Sequence, residues 1–177
     1  MSLSRRQFLR GDLNRKHQEV RPPWALMGDR FLEMCDRCHA CIHQCPENIL
    51  VTDFSGFPRV DFQKGGCSFC GECVDHCAPK ALDKSASTRP WSISINIENN
   101  CLTHQHVVCQ VCREQCDQGA IALVHKVGSV AVPTIKMDKC TGCGFCLAVC
   151  PVSAISIGAP KESLIGLSNN DKESLCI

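Results

Sequence analysis

The 177-residue chain has no tyrosine, and its two tryptophans and seven phenylalanines leave aromatics at 5%. So few large apolar side chains make a thin core, and some other cross-link must help hold the chain together. No apolar run is long enough for a transmembrane helix. The first thirty residues, MSLSRRQFLRGDLNRKHQEVRPPWALMGDR, contain no apolar stretch of signal-peptide length. A G-x-G-x-x-G turn between strand and helix is missing, which argues against a dinucleotide site. No nucleophile–base pair stands out and the carboxylates are scattered, so no bond-making catalysis of its own is expected. The formal net charge of +1 suggests no nucleic-acid partner.

What the chain does have is cysteine, seventeen in all. Sixteen fall into four sets. Set one is Cys35, Cys38, Cys41 and Cys45, followed by Pro46. Set two is Cys67, Cys70, Cys73 and Cys77, with Pro79 one place late. Set three is Cys101, Cys109, Cys112 and Cys116, with no proline. Set four is Cys140, Cys143, Cys146 and Cys150, followed by Pro151. The last cysteines of successive sets lie 32, 39 and 34 residues apart, which marks an internal repeat. Cys176 stands outside any set and reads as an unpaired surface thiol. A secreted disulfide scaffold would be short and carry a signal peptide. Spacings of two and three residues are instead those of metal ligands, and a reducing, cytoplasmic compartment is expected.

The repeat extends beyond cysteine. Four and five places after each final cysteine stand Ile49-Leu50, Ala81-Leu82, Ala120-Ile121 and Ala154-Ile155. Short apolar strands precede most sets, at Val60 and Phe62, at Ile93, Ile95 and Ile97, and at Ile135 and Met137. The run SISINI at 92–97 alternates with period two, the signature of a half-buried strand. Gly56 and Pro58, Arg89-Pro90 and Gly128 punctuate the repeats as turns. Each unit reads as strand, cysteine loop, short helix, turn and return strand. Residues 1–24 carry Arg5, Arg6, Arg10, Arg15, Lys16 and Arg21 against Asp12 and Glu19, a net of +4, which leaves −3 for the rest.

A cubane [4Fe–4S] cluster needs one thiolate at each of four iron corners. Three cysteines spaced by two residues wrap a short loop around three corners, and the fourth corner is best reached from another segment. Zinc ribbons and fingers need only pairs of C-x2-4-C and do not call for three successive steps. Set three differs, because LTHQHVV separates Cys101 from Cys109. A longer loop still allows Cys101 to reach its corner. His104 and His106 leave a mixed Cys/His site open, beside the simpler reading of two exposed loop histidines. Three sets therefore specify clusters and the altered third set adds a fourth. Four clusters of charge about −2 each would take the chain to about −7, an acidic body with a basic arm.

The C-x2-C-x2-C-x3-C-P run resembles that of two-cluster bacterial ferredoxins, whose last cysteine ligates the other cluster. That resemblance implies an α+β fold of two ferredoxin-like modules in tandem. Residues 31–88 would hold sets one and two and residues 89–157 sets three and four, between a basic arm at 1–30 and a tail at 158–177. On the same rule, Cys35, Cys38 and Cys41 share a cluster with Cys77, and Cys67, Cys70 and Cys73 with Cys45. Likewise Cys101, Cys109 and Cys112 go with Cys150, and Cys140, Cys143 and Cys146 with Cys116. Consecutive quartets remain the alternative. Ser4-Arg5-Arg6-Gln7-Phe8-Leu9 looks like a twin-arginine export signal, but the polar run 11–17 replaces the apolar stretch such a signal needs.

Together the SRRxFL start, Arg21-Pro22-Pro23-Trp24, the cysteine sets, Arg89-Pro90-Trp91, the long third set and CPVSAI at 150–155 resemble the NapF family. These are ferredoxin-type accessory proteins of bacterial periplasmic nitrate reductase systems. The resemblance covers residues 4–157, with Cys77-Ala78-Pro79 as a departure from Cys-Pro. It implies a cytoplasmic protein that binds the catalytic subunit NapA before export and assists its maturation by supplying or reducing a [4Fe–4S] cluster. An electron carrier in a relay to another redox protein is the alternative.

Overall fold

The computed structural model describes residues 19–87, 89–125 and 127–158. The Ser4–Leu9 motif, Cys176 and positions 159–177 of the expected tail lie outside the described residues.

Each cysteine set ends in the same turn. The residue three places past the last cysteine is left-handed: Asn48, Lys80, Gly119 and Ser153 have φ of 54°, 57°, 56° and 48°. Its N–H donates to the carbonyl of that cysteine at 2.9 to 3.2 Å. The next two residues are then thrown inward. The four apolar pairs that follow the sets are all buried, none more than 6% exposed. The first carbonyl of each pair accepts an N–H from the segment entering the partner set. Asp61 donates to Ile49 at 2.7 Å, Leu26 to Ala81 at 3.0 Å, Lys136 to Ala120 at 2.7 Å and Glu98 to Ala154 at 2.7 Å. The chain leaving one set is thereby stitched to the chain entering another.

Three of these stitches grow into two-stranded antiparallel sheets. Strand β1 (Leu50–Thr52) pairs with β2 (Pro58–Val60), with Leu50 opposite Val60. Strand β3 (Ser94–Ile97) pairs with β6 (Ile155–Gly158), and β4 (Ile121–Val124) with β5 (Val132–Ile135). The fourth stitch stays an isolated bridge between Ala25 and Leu82. Pro22 and Pro23 donate no N–H, and Trp24 is left-handed at φ 58°, so the chain cannot extend there as a strand.

The helices are short. Helix α1 (Asp29–Met34) precedes set one. Four single turns lie inside the sets: α2 (Ala40–His43), α3 (Glu72–Asp75), α4 (Val111–Glu114) and α5 (Phe145–Ala148). Each carries the third cysteine of its set. A lone helical turn has the cost of nucleation without the return of propagation, so these turns depend on what they touch. Helix α2 packs on α3, and α4 on α5. Buried residues of both halves, from Phe31 to Ile155, form one continuous apolar cluster.

Local departures from the sequence reading have plain causes. The helix sits within each cysteine loop instead of after it, because the third cysteine is on the turn. Strands expected to reach Phe62 and Met137 end at Val60 and Ile135. In SISINI the burial does not alternate: Ser94 is 2% exposed beside Ile95 at 4%. Its partner Gly158 has no side chain, and a Cβ there would stand 2.8 Å from the Ser94 hydroxyl.

Residues 20–26, expected within the basic arm, thread through the body. Val60 donates its N–H to Val20 at 2.7 Å, and Trp91 Nε1 donates to the Arg21 carbonyl at 2.9 Å. Arg21 Nη1 donates to Asp53 Oδ2 at 2.7 Å, and its guanidinium lies over the rings of Phe31 and Phe57. Asp53 Oδ1 accepts the N–H groups of Ser55 and Phe57 at 2.8 and 2.9 Å, closing the β1–β2 hairpin.

Candidate metal centres

The crossed stitching decides which cysteines meet. One cavity is lined by Cys35, Cys38 and Cys41 from set one and by Cys77 from set two. A second is lined by Cys101, Cys109 and Cys112 with Cys150. A third is lined by Cys140, Cys143 and Cys146 with Cys116. Cys67 and Cys73 each lie close enough to Cys45 and to Cys70 for their charges to interact. The geometry gathers three cysteines of one set with the last cysteine of another, not consecutive quartets.

We number these gatherings along the molecule. The first site is Cys35, Cys38, Cys41 and Cys77. The second is Cys67, Cys70, Cys73 and Cys45. The third is Cys140, Cys143, Cys146 and Cys116. The fourth is Cys101, Cys109, Cys112 and Cys150. Apolar groups make up much of the remaining lining, such as Phe31 and Leu82 at the first and Leu102 and Ile155 at the fourth, with Asp36, His39 and His76 also at the first.

Among the described residues, no three Cys, His, Asp or Glu side chains converge tightly enough for a single ion. Four thiols standing around a cavity fit a four-iron cubane, with one sulfur per corner, better than a tetrahedral zinc. His104 and His106 are exposed, and neither lines the fourth cavity.

The loops also fit an anionic guest. In sets one, two and four the backbone turns left-handed on both sides of the second cysteine. These residues are Arg37 and His39, Phe69 and Gly71, and Gly142 and Gly144, with φ between 57° and 91°. Reversals of hand turn successive N–H groups to one side, a nest for negative charge. Arg37, His39 and Phe69 do so without glycine's freedom, at a cost of about 1 kcal/mol or more each. Backbone N–H groups also reach sulfur: Phe69 to Cys67 at 3.4 Å, Ala120 to Cys116 at 3.3 Å and Ala154 to Cys150 at 3.2 Å.

Burial pushes the thiols of Cys41, Cys73 and Cys146 up to about 12 and that of Cys67 up to about 11. Neighbouring thiols add to the rise. Cys35, Cys112 and Cys140 are raised, chiefly by burial. Without iron these are neutral thiols at pH 7, so ligation must release protons.

Set three is built differently. Its seven-residue spacer opens with a 3-10 turn, Leu102–Gln105, in which His104 and Gln105 return N–H groups to the Cys101 carbonyl. Thr103 is buried, and its hydroxyl lies 3.3 Å from Cys101 Sγ. Sequence reasoning missed Thr103, whose signal was a hydroxyl two places after a ligand-type cysteine. It also missed His39, whose Nε2 stands 3.0 Å from the Gly56 carbonyl and ties loop one to the β1–β2 hairpin.

Comparisons with known proteins give the family. A 4Fe-4S dicluster domain matches residues 34–82 and a 4Fe-4S binding domain matches residues 133–156. The ferredoxin-type protein NapF of Escherichia coli K12 is 39% identical over 153 residues, covering 86% of this chain and 93% of that protein. NapF of Haemophilus influenzae is 39% identical over 172 residues, covering 92% and 97%. The chain belongs to the NapF family of ferredoxin-type proteins. A ferredoxin-type protein NapG of Escherichia coli K12 is more distant, 32% identical over 165 residues and covering 82% of this chain and 71% of its own. Two motifs that carry the likeness to NapF, Arg21-Pro22-Pro23-Trp24 and Arg89-Pro90-Trp91, touch each other here. The Trp24 N–H donates to the Pro90 carbonyl at 2.9 Å. Among the described residues no helix is long and apolar enough to cross a membrane.

Proposed function

We propose that this NapF-family chain holds four [4Fe–4S] clusters in two ferredoxin-like modules, one at each of the four sites. The observation that carries this is the lining of three cavities, where three cysteines of one set meet the last cysteine of its partner, with Cys45 close to Cys67 and Cys73 at the second site. When bound, the clusters would supply one-electron chemistry. The protein's part is to hold the thiolates, aim N–H groups at sulfur and keep water out.

On this reading the protein works in the cytoplasm as an accessory to the periplasmic nitrate reductase system. Its partner is the catalytic subunit NapA before export, whose iron–sulfur cluster it loads or reduces. The names of the NapF and NapG relatives support the system. The four buried thiols, Cys41, Cys67, Cys73 and Cys77, favour reduction over donation at the first two sites, since clusters held in closed loops exchange electrons more readily than iron. Simple electron carriage to another redox protein is the second reading, and the same closed loops favour it.

Two experiments test the ligation and the partner in turn. Replacing Cys77→Ser should remove the first cluster and leave the second, read as loss of about four of about sixteen irons per chain. Loss of the second cluster instead would return the ligands to consecutive quartets. Anaerobic mixing with cluster-free NapA, followed by iron counting and electron paramagnetic resonance of both proteins, tests the partner. If neither binding, iron transfer nor reduction follows, the maturation role fails and the carrier reading stands.

A further inference from the structure

The four sites are not two isolated pairs. Cys41 on α2 and Cys73 on α3 lie where those helices pack, so the first and second sites adjoin. Cys112 on α4 and Cys146 on α5 do the same for the fourth and third. Between the halves, the backbone N–H of Cys67 donates to the carbonyl of Cys143 across 2.7 Å. Cys67 belongs to the second site and Cys143 to the third.

The backbones can approach because glycine stands on each side. Gly66 lies against Phe145 and Gly144 against Phe62, and a Cβ on either would stand only 2.0 to 2.8 Å from atoms of the ring opposite. Both glycines are buried. Trp91 closes the seam, edge-on to Phe62 at 5.6 Å and to Phe69 at 5.7 Å.

We propose that this seam joins the sites into one unbranched series, first to second to third to fourth, and that electrons pass between the halves at the Cys67–Cys143 contact. Gly66 and Gly144 are positioning residues that keep the contact closed. The series differs from chain order, since set four stands inside it and set three ends it. The inference rests on the reading that all four sites are loaded. Transfer across the seam oxidises the second site by one electron and reduces the third by one. No bond is made or broken and no proton moves. The electron enters from a low-potential one-electron donor, dithionite in the test.

The test uses the full chain, loaded anaerobically, as wild type, Gly66→Ala and Gly66→Ala/Phe145→Ala. Iron is counted first. A wild-type count well below about sixteen per chain overturns the four-site reading itself. A second background, Cys38→Ala/Cys109→Ala, disables the outer sites, so that spin–spin broadening of the reduced signal can arise only across the seam. Broadening is expected there, lost with Gly66→Ala and regained when Phe145→Ala restores the space. If the outer-site background does not fold, power saturation in the four-site chain replaces it. The Gly66→Ala signal should then saturate at lower power, with iron content unchanged. Full iron and unaltered relaxation in Gly66→Ala, alongside faster hydrogen exchange of the Cys67 amide, would overturn the relay while leaving the clusters in place.

Discussion

In sets one, two and four the chain reverses hand on either side of the second cysteine; in set three it does not. There Gln110 keeps a negative φ of −141°, and the left-handed residue is His106, three places before Cys109. The set-three loop swings wide and leaves Val107, Val108 and Val111 at 49%, 79% and 40% exposure. Helix α4 buries none of its residues, whereas α3 buries Cys73 and Val74. The halves differ likewise. In the first, Cys41, Cys67, Cys73 and Cys77 are buried among Phe31, Phe57 and Phe62; in the second, no set cysteine is fully buried. A ferredoxin-like site thus tolerates a changed approach to its first corner provided that the turn after the last cysteine is kept, as it is in all four sets.

The largest effect that can break this contrast comes from removing iron. Chelation in air should unfold the chain, because ligation replaces much of the missing core. Iron should leave the fourth site first and the first two sites last, read by iron counts against far-UV circular dichroism over time. A native-like far-UV spectrum in the cluster-free protein would contradict the dependence, and simultaneous loss from all sites would erase the difference between the halves.

Next in size is the anchor of the first half. Asp53→Ala removes a partner from Arg21, hands the exposed Ser55 N–H to water and leaves the Phe57 N–H unpaired. The expected cost is about 2–3 kcal/mol, checked by anaerobic denaturant unfolding. The fourth site should keep its iron in this variant at the wild-type rate.

A smaller effect concerns pH. Thiols raised to about 11 or 12 must lose a proton to bind iron, so cluster uptake strengthens as pH rises and weakens as it falls. Three of these strongly raised thiols, Cys41, Cys67 and Cys73, lie in the first half and one, Cys146, in the second. Reconstitution at about pH 9 against about pH 7 should therefore favour the first half more. Equal gains in both halves would count against burial as the cause.

The smallest effect is electronic. Thr103→Val removes a hydroxyl aimed at Cys101 Sγ, and a hydrogen bond to sulfur stabilises the more negative reduced state. The potential of the fourth site should drop by tens of millivolts, on the order of a 1 kcal/mol hydrogen bond or less. Redox titration of the fourth-site signal, with the other sites unmoved, is the check.

Much of the architecture was legible because it is repeated. The cysteine spacing, and the buried pairs at Ile49-Leu50, Ala81-Leu82, Ala120-Ile121 and Ala154-Ile155, are local patterns set by one turn type. Residues 20–26 were not legible as part of the body. Their basic, proline-rich composition reads as an arm, and only contact with Asp53, Val60 and Trp91 makes it structure. The left-handed Arg37, His39 and Phe69 were equally hidden, since nothing in those residue types asks for positive φ. Thr103 gains meaning only from its distance to Cys101.

The sequence by itself determined the kind of chemistry. Three thiols at a spacing of two can wrap only a small loop, and that constraint acts within a dozen residues. Tertiary structure decided which last cysteine joins which loop, and in what order the sites stand. Those depend on strand pairings between segments tens of residues apart, on two buried glycines without a Cβ, and on one backbone hydrogen bond from Cys67 to Cys143.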